Sequence, residues 1–167
     1  MNKQEWERFA AELQSRLNGQ GVFLSSAADG RANTMTISWG SAGVYWGRPV
    51  ITAPVRLSRF THELIEKTGV FTVSIPRKGL LSKELALAGT KTGRDGDKFA
   101  PLGLTARPGR QVAAPVVGEA WLHIECRVLG KYTARGPEYD EAIDHEFYSD
   151  GNYHTYYLGE VVDFYEL

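Results

Sequence analysis

Many short segments of period-two hydrophobicity, turn dipeptides between them, and only a few helical stretches predict a mainly β domain. The strands do not alternate regularly with helices. A closed or partly closed barrel with helical insertions is therefore expected, not a doubly wound parallel sheet. The 167 residues fit one domain, 1–167, long enough to bury about 70% of the surface of its unfolded chain.

The first element is the exception to the β pattern. Trp6, Phe9, Ala10, Leu13 and Leu17 recur at helical steps and predict a helix over 1–18, with Asn2 as cap and Asn18-Gly19 as stop. The barrel then runs over 20–165. Val22–Ser26 is a first strand, and Asp29-Gly30 a hairpin turn, because Gly adopts positive φ cheaply. Asn33–Trp39 alternates cleanly, with Thr34, Thr36 and Ser38 on one face and Met35, Ile37 and Trp39 on the other. Val44–Trp46 and Val50–Val55 follow as strands, with Pro49 and Pro54 at ends or edges.

Ser58 is a candidate N-cap for a short helix carrying Phe60, Leu64 and Ile65, which Gly69 stops. Phe71, Val73 and Ile75 mark another strand, and residues 80–88 a second short helix. Residues 89–98 form a polar, glycine-rich loop. Glu119–Val128 and Thr155–Tyr165 are long strand candidates, and 133–152 reads as loop.

Composition narrows the function classes. Net charge is −1, so no large basic surface exists for nucleic acid or anionic membrane. No apolar run approaches the roughly 20 residues of a membrane span, and no signal peptide is visible. The single Cys126 excludes an internal disulfide framework and a cysteine-rich zinc site. A cytoplasmic, reducing location is expected. No G-x-S-x-G elbow, P-loop or G-x-G-x-x-G fingerprint is present. His123-Ile124-Glu125 lacks the P-C-x-x-C partner of a deaminase. The cluster Asp140, Glu141, Asp144, His145, Glu146 suits either a metal or a solvated helix face or loop, and the second reading is favoured.

Three segments carry more chemistry. Asn33–Gly40 offers a row of hydroxyls at every second residue. Arg56, Ser58, Arg59 and Thr61 open a predicted helix, where unpaired backbone N–H groups and the dipole favour an anion. Lys91, Thr92, Arg94 and Lys98 lie in the glycine-rich loop. Together they can supply a phosphate clamp and a polar wall, with Trp39 beside a flat ring.

The strings NTMTISWG (33–40), VRLSRFT (55–61), FTVSIP (71–76), GTKTGRDGDKF (89–99) and YHTYYLGEV (153–161) occur in order over nearly the whole chain. They resemble the flavin reductase-like family with an FMN-binding split barrel, and flavoredoxin is the member type closest in pattern. The resemblance implies a six-stranded antiparallel split β-barrel (Greek key) with flanking helices. It also implies a homodimer with FMN near the subunit interface. Asn33, Thr34, Met35, Thr36, Ser38 and Trp39 are then expected along the ribityl chain and isoalloxazine. Arg56, Ser58, Arg59 and Thr61 are expected at the phosphate or adjoining chain, and Lys91, Thr92 and Lys98 over the flavin, with Lys91 or Lys98 near its pyrimidine side. His154 matches a histidine near the ring and is the catalytic candidate; an ordinary strand histidine is the alternative. Ser149 departs from the proline often found before the last motif, which alters loop stiffness only. The implied activity is electron transfer from NADH or NADPH through FMN to a flavin or other acceptor. An electron carrier without nicotinamide turnover is the alternative. A barrel of this kind can also take haem, a deazaflavin or pyridoxal phosphate.

Overall fold

The N-terminal stripe forms α1, Lys3–Leu17, and buries Trp6, Phe9, Leu13 and Leu17. The structure is a computed structural model that describes residues 3–167. The expected cap, Asn2, lies outside the described residues. The expected stop is displaced. Gly21, not Asn18-Gly19, takes positive φ, at 83°, and its N–H donates to the Arg16 carbonyl at 2.9 Å.

Period-two residues then build β1 (Val22–Ala28) and β2 (Arg31–Ile37). Asp29 and Gly30, at φ 52° and 71°, make the tight turn between them, as a hairpin with two left-handed residues requires. Trp46-Gly47 repeats the device, at 52° and 70°, between β3 (Ser41–Tyr45) and β4 (Arg48–Arg56). Next come α2 (Phe60–Thr68), β5 (Val70–Ile75) and α3 (Ser82–Thr90). The third helix begins later than residue 80, because Leu80 is exposed and Leu81 is left-handed. A two-stranded ribbon, β6 (Ala106–Arg107) with β7 (Val116–Val117), precedes β8 (Leu122–Tyr132). Two register shifts bend β8 against β9 (His154–Glu166). The segment read as loop, 133–152, contains α4, Glu141–Tyr148.

The main sheet is antiparallel, in the order β2-β1-β5-β8-β9-β4-β3. It has seven strands, one more than the six the resemblance implies, with the short β3 at one edge. The main core lies between this sheet and α1, where Phe9 meets Phe164 at 4.6 Å between ring centroids. A second core on the other face of β1 joins Phe23 to Leu85, Ala88 and Phe99. These two cores fix α1 and α3 on opposite sides of β1 and β2, and leave a groove beside the end of β2. Among the described residues no helix is long and apolar enough to cross a membrane.

Candidate functional site

The groove comprises two adjoining cavities of about 220 and 110 Å³ that share Met35 and Arg59. The larger is closed by Ser38 and Trp39 after β2, by Pro54 and Arg56 at the end of β4, and by His154 at the start of β9. The smaller lies between Asn33, the Ser58–Thr61 entry to α2, and the loop after α3 with Lys91, Thr92, Arg94 and Lys98. Met35 and Asn33 project from the β2 face read as apolar, so that face lines the groove.

The hydroxyl face is used differently from expectation. Thr34 is fully buried and accepts a hydrogen bond from Ser25 Oγ at 3.0 Å; it lines neither cavity. Thr36 Oγ1 donates to the Leu85 carbonyl at 2.6 Å, which ties α3 to β2, though the residue still edges the larger cavity. Of the three expected hydroxyls, Ser38 alone is exposed at the groove.

The small cavity is cationic and has donors on all sides. Arg59 occupies the N-cap of α2 without a side-chain cap bond, and its guanidinium donates to the Gly89 carbonyl at 2.8 Å. Ser58 is therefore not the cap. Its Oγ instead accepts from Asn152 Nδ2 at 2.8 Å. The His62 amide donates to the Arg59 carbonyl at 3.0 Å, and the amides of Phe60 and Thr61 before it stand at the helix end that favours an anion. Burial, then the neighbouring Arg56 charge, lowers the Arg59 pKa. Lys98 is buried and donates to the Ala88 and Lys91 carbonyls at 2.6 and 2.8 Å. Burial, then Arg59, brings its pKa down to about 8. Lys91 and Thr92 are exposed at the rim.

Asn33 supplies a second kind of signal. Its Nδ2 donates to Thr61 Oγ1 at 2.7 Å, while its buried Oδ1 has no partner. A buried acceptor left unpaired costs about 1–3 kcal/mol, so this oxygen is suited to a hydroxyl donor on a ligand. Gly93 sits against the same amide. A Cβ at position 93 would collide with the Asn33 side chain. The lack of a side chain lets the loop close onto β2.

Trp39 and His154 give the large cavity an aromatic edge. Trp39 is 42% exposed, and its ring lies 5.3 Å from those of both Phe147 and His154. Burial, then the charges of Arg56 and Arg59, lowers the His154 pKa to about 4, so the imidazole is neutral at pH 7. Its Nδ1 is 2.8 Å from the Tyr148 hydroxyl. Arg56 lines the larger cavity while part of its guanidinium holds the backbone. It donates to the Asn152 and Phe147 carbonyls at 2.7 and 3.0 Å and lies over the Tyr148 ring, fastening α4 to β4.

Sequence reasoning missed Pro54, Phe60, Gly93, Phe147 and Tyr148. Arg94, read with the other loop cations as part of a phosphate clamp, lines the smaller cavity, donates to the Ser58 carbonyl at 2.8 Å and pairs with Glu63. Only Gly93 had a readable signal, as a glycine in a cationic loop. The acidic cluster lies on α4, where Asp140 caps the helix by accepting from Ala142 N at 3.0 Å. Among the described residues no three His, Cys, Asp or Glu side chains are grouped to hold a metal. His123 and Glu125 are likewise structural. The Glu125 carboxylate accepts the amides of Arg110, Gln111 and Val112 and so anchors the loop before β7.

Comparison with known proteins places the family and the fold. A family model described as flavin reductase like domain matches residues 15–167. Flavoredoxin of Desulfovibrio vulgaris (Miyazaki F) superposes with a TM-score of 0.69 and 29% identity, covering 88% of this chain and 69% of that one. An FMN-binding protein from Thermus thermophilus shares the fold, with a TM-score of 0.68 and 21% identity over 87% of this chain and 69% of that chain. An uncharacterised protein of Pyrococcus abyssi is 30% identical over 131 residues, 78% of this chain and 64% of that protein. The chain spans 55–64% of the length of this and two other curated relatives it matches.

Proposed function

The chain belongs to the flavin reductase-like family, and from that premise we propose that it binds FMN and passes electrons through it. The observation that carries this reading is the continuity of the two cavities. Cations, the α2 entry and the unpaired acceptor of Asn33 line the smaller cavity, Met35 and Arg59 border both, and Trp39 and His154 line the larger. That order matches a phosphate, a polyol and a flat ring.

In this reading Arg59, Lys91 and the α2 amides hold the phosphate, aided by the hydroxyls of Ser58 and Thr92. Asn33 Oδ1 accepts from a ribityl hydroxyl. Met35 and Pro54 give the ring an apolar bed, and Trp39 shields one side from water. His154, neutral and held through Nδ1, borders the cavity. Lys98 fixes the carbonyls of the loop and adds positive potential. FMN itself would supply the hydride-accepting and electron-releasing chemistry.

The activity proposed is NAD(P)H-dependent flavin oxidoreduction, with a flavin or other acceptor. The second reading, an electron carrier without its own nicotinamide turnover, is favoured by the likeness to flavoredoxin at 29% identity. We further propose a homodimer with the groove near its interface, because Val44, Tyr45, Trp46 and Tyr132 are exposed around the β3–β4 hairpin. The buried free thiol of Cys126 is consistent with a cytoplasmic setting. Anaerobic titration of the FMN-loaded protein with NADH and with NADPH tests the activity. Bleaching of the flavin band by one of them is expected. If neither bleaches it and a reduced protein partner does, the carrier reading replaces the reductase.

A further inference from the structure

Behind His154 lies a group of tyrosines that the reading above does not use. Tyr148 ends α4 and is 3% exposed. Its hydroxyl lies 2.8 Å from His154 Nδ1, and the two rings meet edge-on with centroids 5.6 Å apart. On its other side Tyr148 stacks on Tyr139 at 4.7 Å and on Tyr153 at 5.1 Å. His154 lines the larger cavity, so Tyr148 is one ring removed from whatever occupies it.

Such a pair has defined chemistry. A phenol that loses an electron becomes a very strong acid, and a buried site cannot hold the resulting cation without a base. Burial, then the Tyr156 hydroxyl, raises the Tyr148 pKa, so the phenol is protonated in the resting protein. The His154 imidazole is neutral at pH 7, and in the tautomer that carries its proton on Nε2 the Nδ1 atom accepts from the Tyr148 hydroxyl. Base and acid are thus already in hydrogen-bond contact, and the proton travels only along that bond.

We propose that Tyr148 is a redox-active tyrosine, giving one electron to a one-electron oxidant in the groove while its phenolic proton passes to His154 Nδ1. The O–H bond breaks and an N–H bond forms. The oxidant gains the electron, leaving a neutral tyrosyl radical beside an imidazolium. Return of the electron sends the proton back. The oxidant class is a photo-excited isoalloxazine, and to that extent the proposal rests on the flavin reading. The stacked rings of Tyr139 and Tyr153 shield the radical from water.

Two experiments test it. FMN-loaded protein is flashed with blue light and followed by time-resolved absorption. Ligand-free protein is oxidised by a flash-generated ruthenium(III) polypyridyl complex, and the radical is recorded by high-field electron paramagnetic resonance. A neutral tyrosyl signal is expected in both. It should be lost in Tyr148→Phe and in His154→Gln, and should form more slowly in D2O. Incorporating 3-fluorotyrosine at position 148 keeps the hydroxyl and the packing, and should change the hyperfine pattern. A signal unchanged by these variants, or one that survives Tyr148→Phe and vanishes in Trp39→Phe, overturns the proposal. If the protein retains no FMN, the flavin reading fails, and the ruthenium experiment alone decides the role of Tyr148.

Discussion

Arg59→Ala separates a phosphate contact from a general loss of structure. The residue borders both cavities, its guanidinium is half-buried, and it stands at the N-terminus of α2. A charge-assisted hydrogen bond to phosphate contributes about 1.5–3 kcal/mol, or about 10- to 150-fold in Kd. The side chain also donates to the Gly89 carbonyl, so its removal should lower stability by about 0.5–1.5 kcal/mol. The assay is fluorescence titration of the apoprotein with FMN and, in parallel, with riboflavin, which lacks the phosphate. Affinity for FMN should fall within that range while riboflavin affinity changes little. Thermal melting of the unliganded variant measures the structural part. Equal losses for the two ligands, or no loss for FMN, would refute the placement of the phosphate.

Three other outcomes are expected. Gly93→Ala places a methyl group against the Asn33 amide and should weaken FMN binding, read by the same titration, with far-UV circular dichroism unchanged. Leu13→Ala empties a site that is 1% exposed between α1 and the sheet, and should cost about 2–5 kcal/mol in urea denaturation. Stability should fall as pH drops below 6.5. His123 and His154 both have folded pKa values lowered to about 4, chiefly by burial, so the unfolded chain binds more protons between pH 6.5 and 4. Each imidazole should remove about 2 kcal/mol by pH 5, at most, relative to neutral pH. Urea midpoints that do not move between pH 7 and 5 would contradict both burials.

Strands such as β5 were legible because one face carries the apolar core residues Phe71, Val73 and Ile75, which writes a two-residue period into the sequence. Asp29-Gly30 and Gly69 were legible because their backbone angles admit few residues. The helix α4 was not, since its sequence EAIDHEFY buries little beyond Tyr148, and its start depends on the Asp140 cap rather than on an apolar stripe. Within the site, the cations around α2 and the loop could be read from residue type and order. The direction of the Thr34 and Thr36 hydroxyls could not. Period two separates the faces of β2, but it does not reveal that Ser25 and α3 take up those hydroxyls. The burial of Lys98 was hidden for a related reason: the Ala88 and Lys91 carbonyls that hold it are backbone atoms, invisible in residue identity. Phe147 and Tyr148 stand behind Trp39 and His154 because α4, tied to β4 by Arg56, lies there.

The most direct measurement is the identity and amount of flavin in the purified protein, by absorbance and by chromatography of the acid-released cofactor after incubation with a mixture of FMN, FAD and riboflavin. The groove described above predicts that FMN is retained, near one per chain, in preference to the other two. Retention of FAD or riboflavin in its place, or a protein that takes up no flavin, would contradict it.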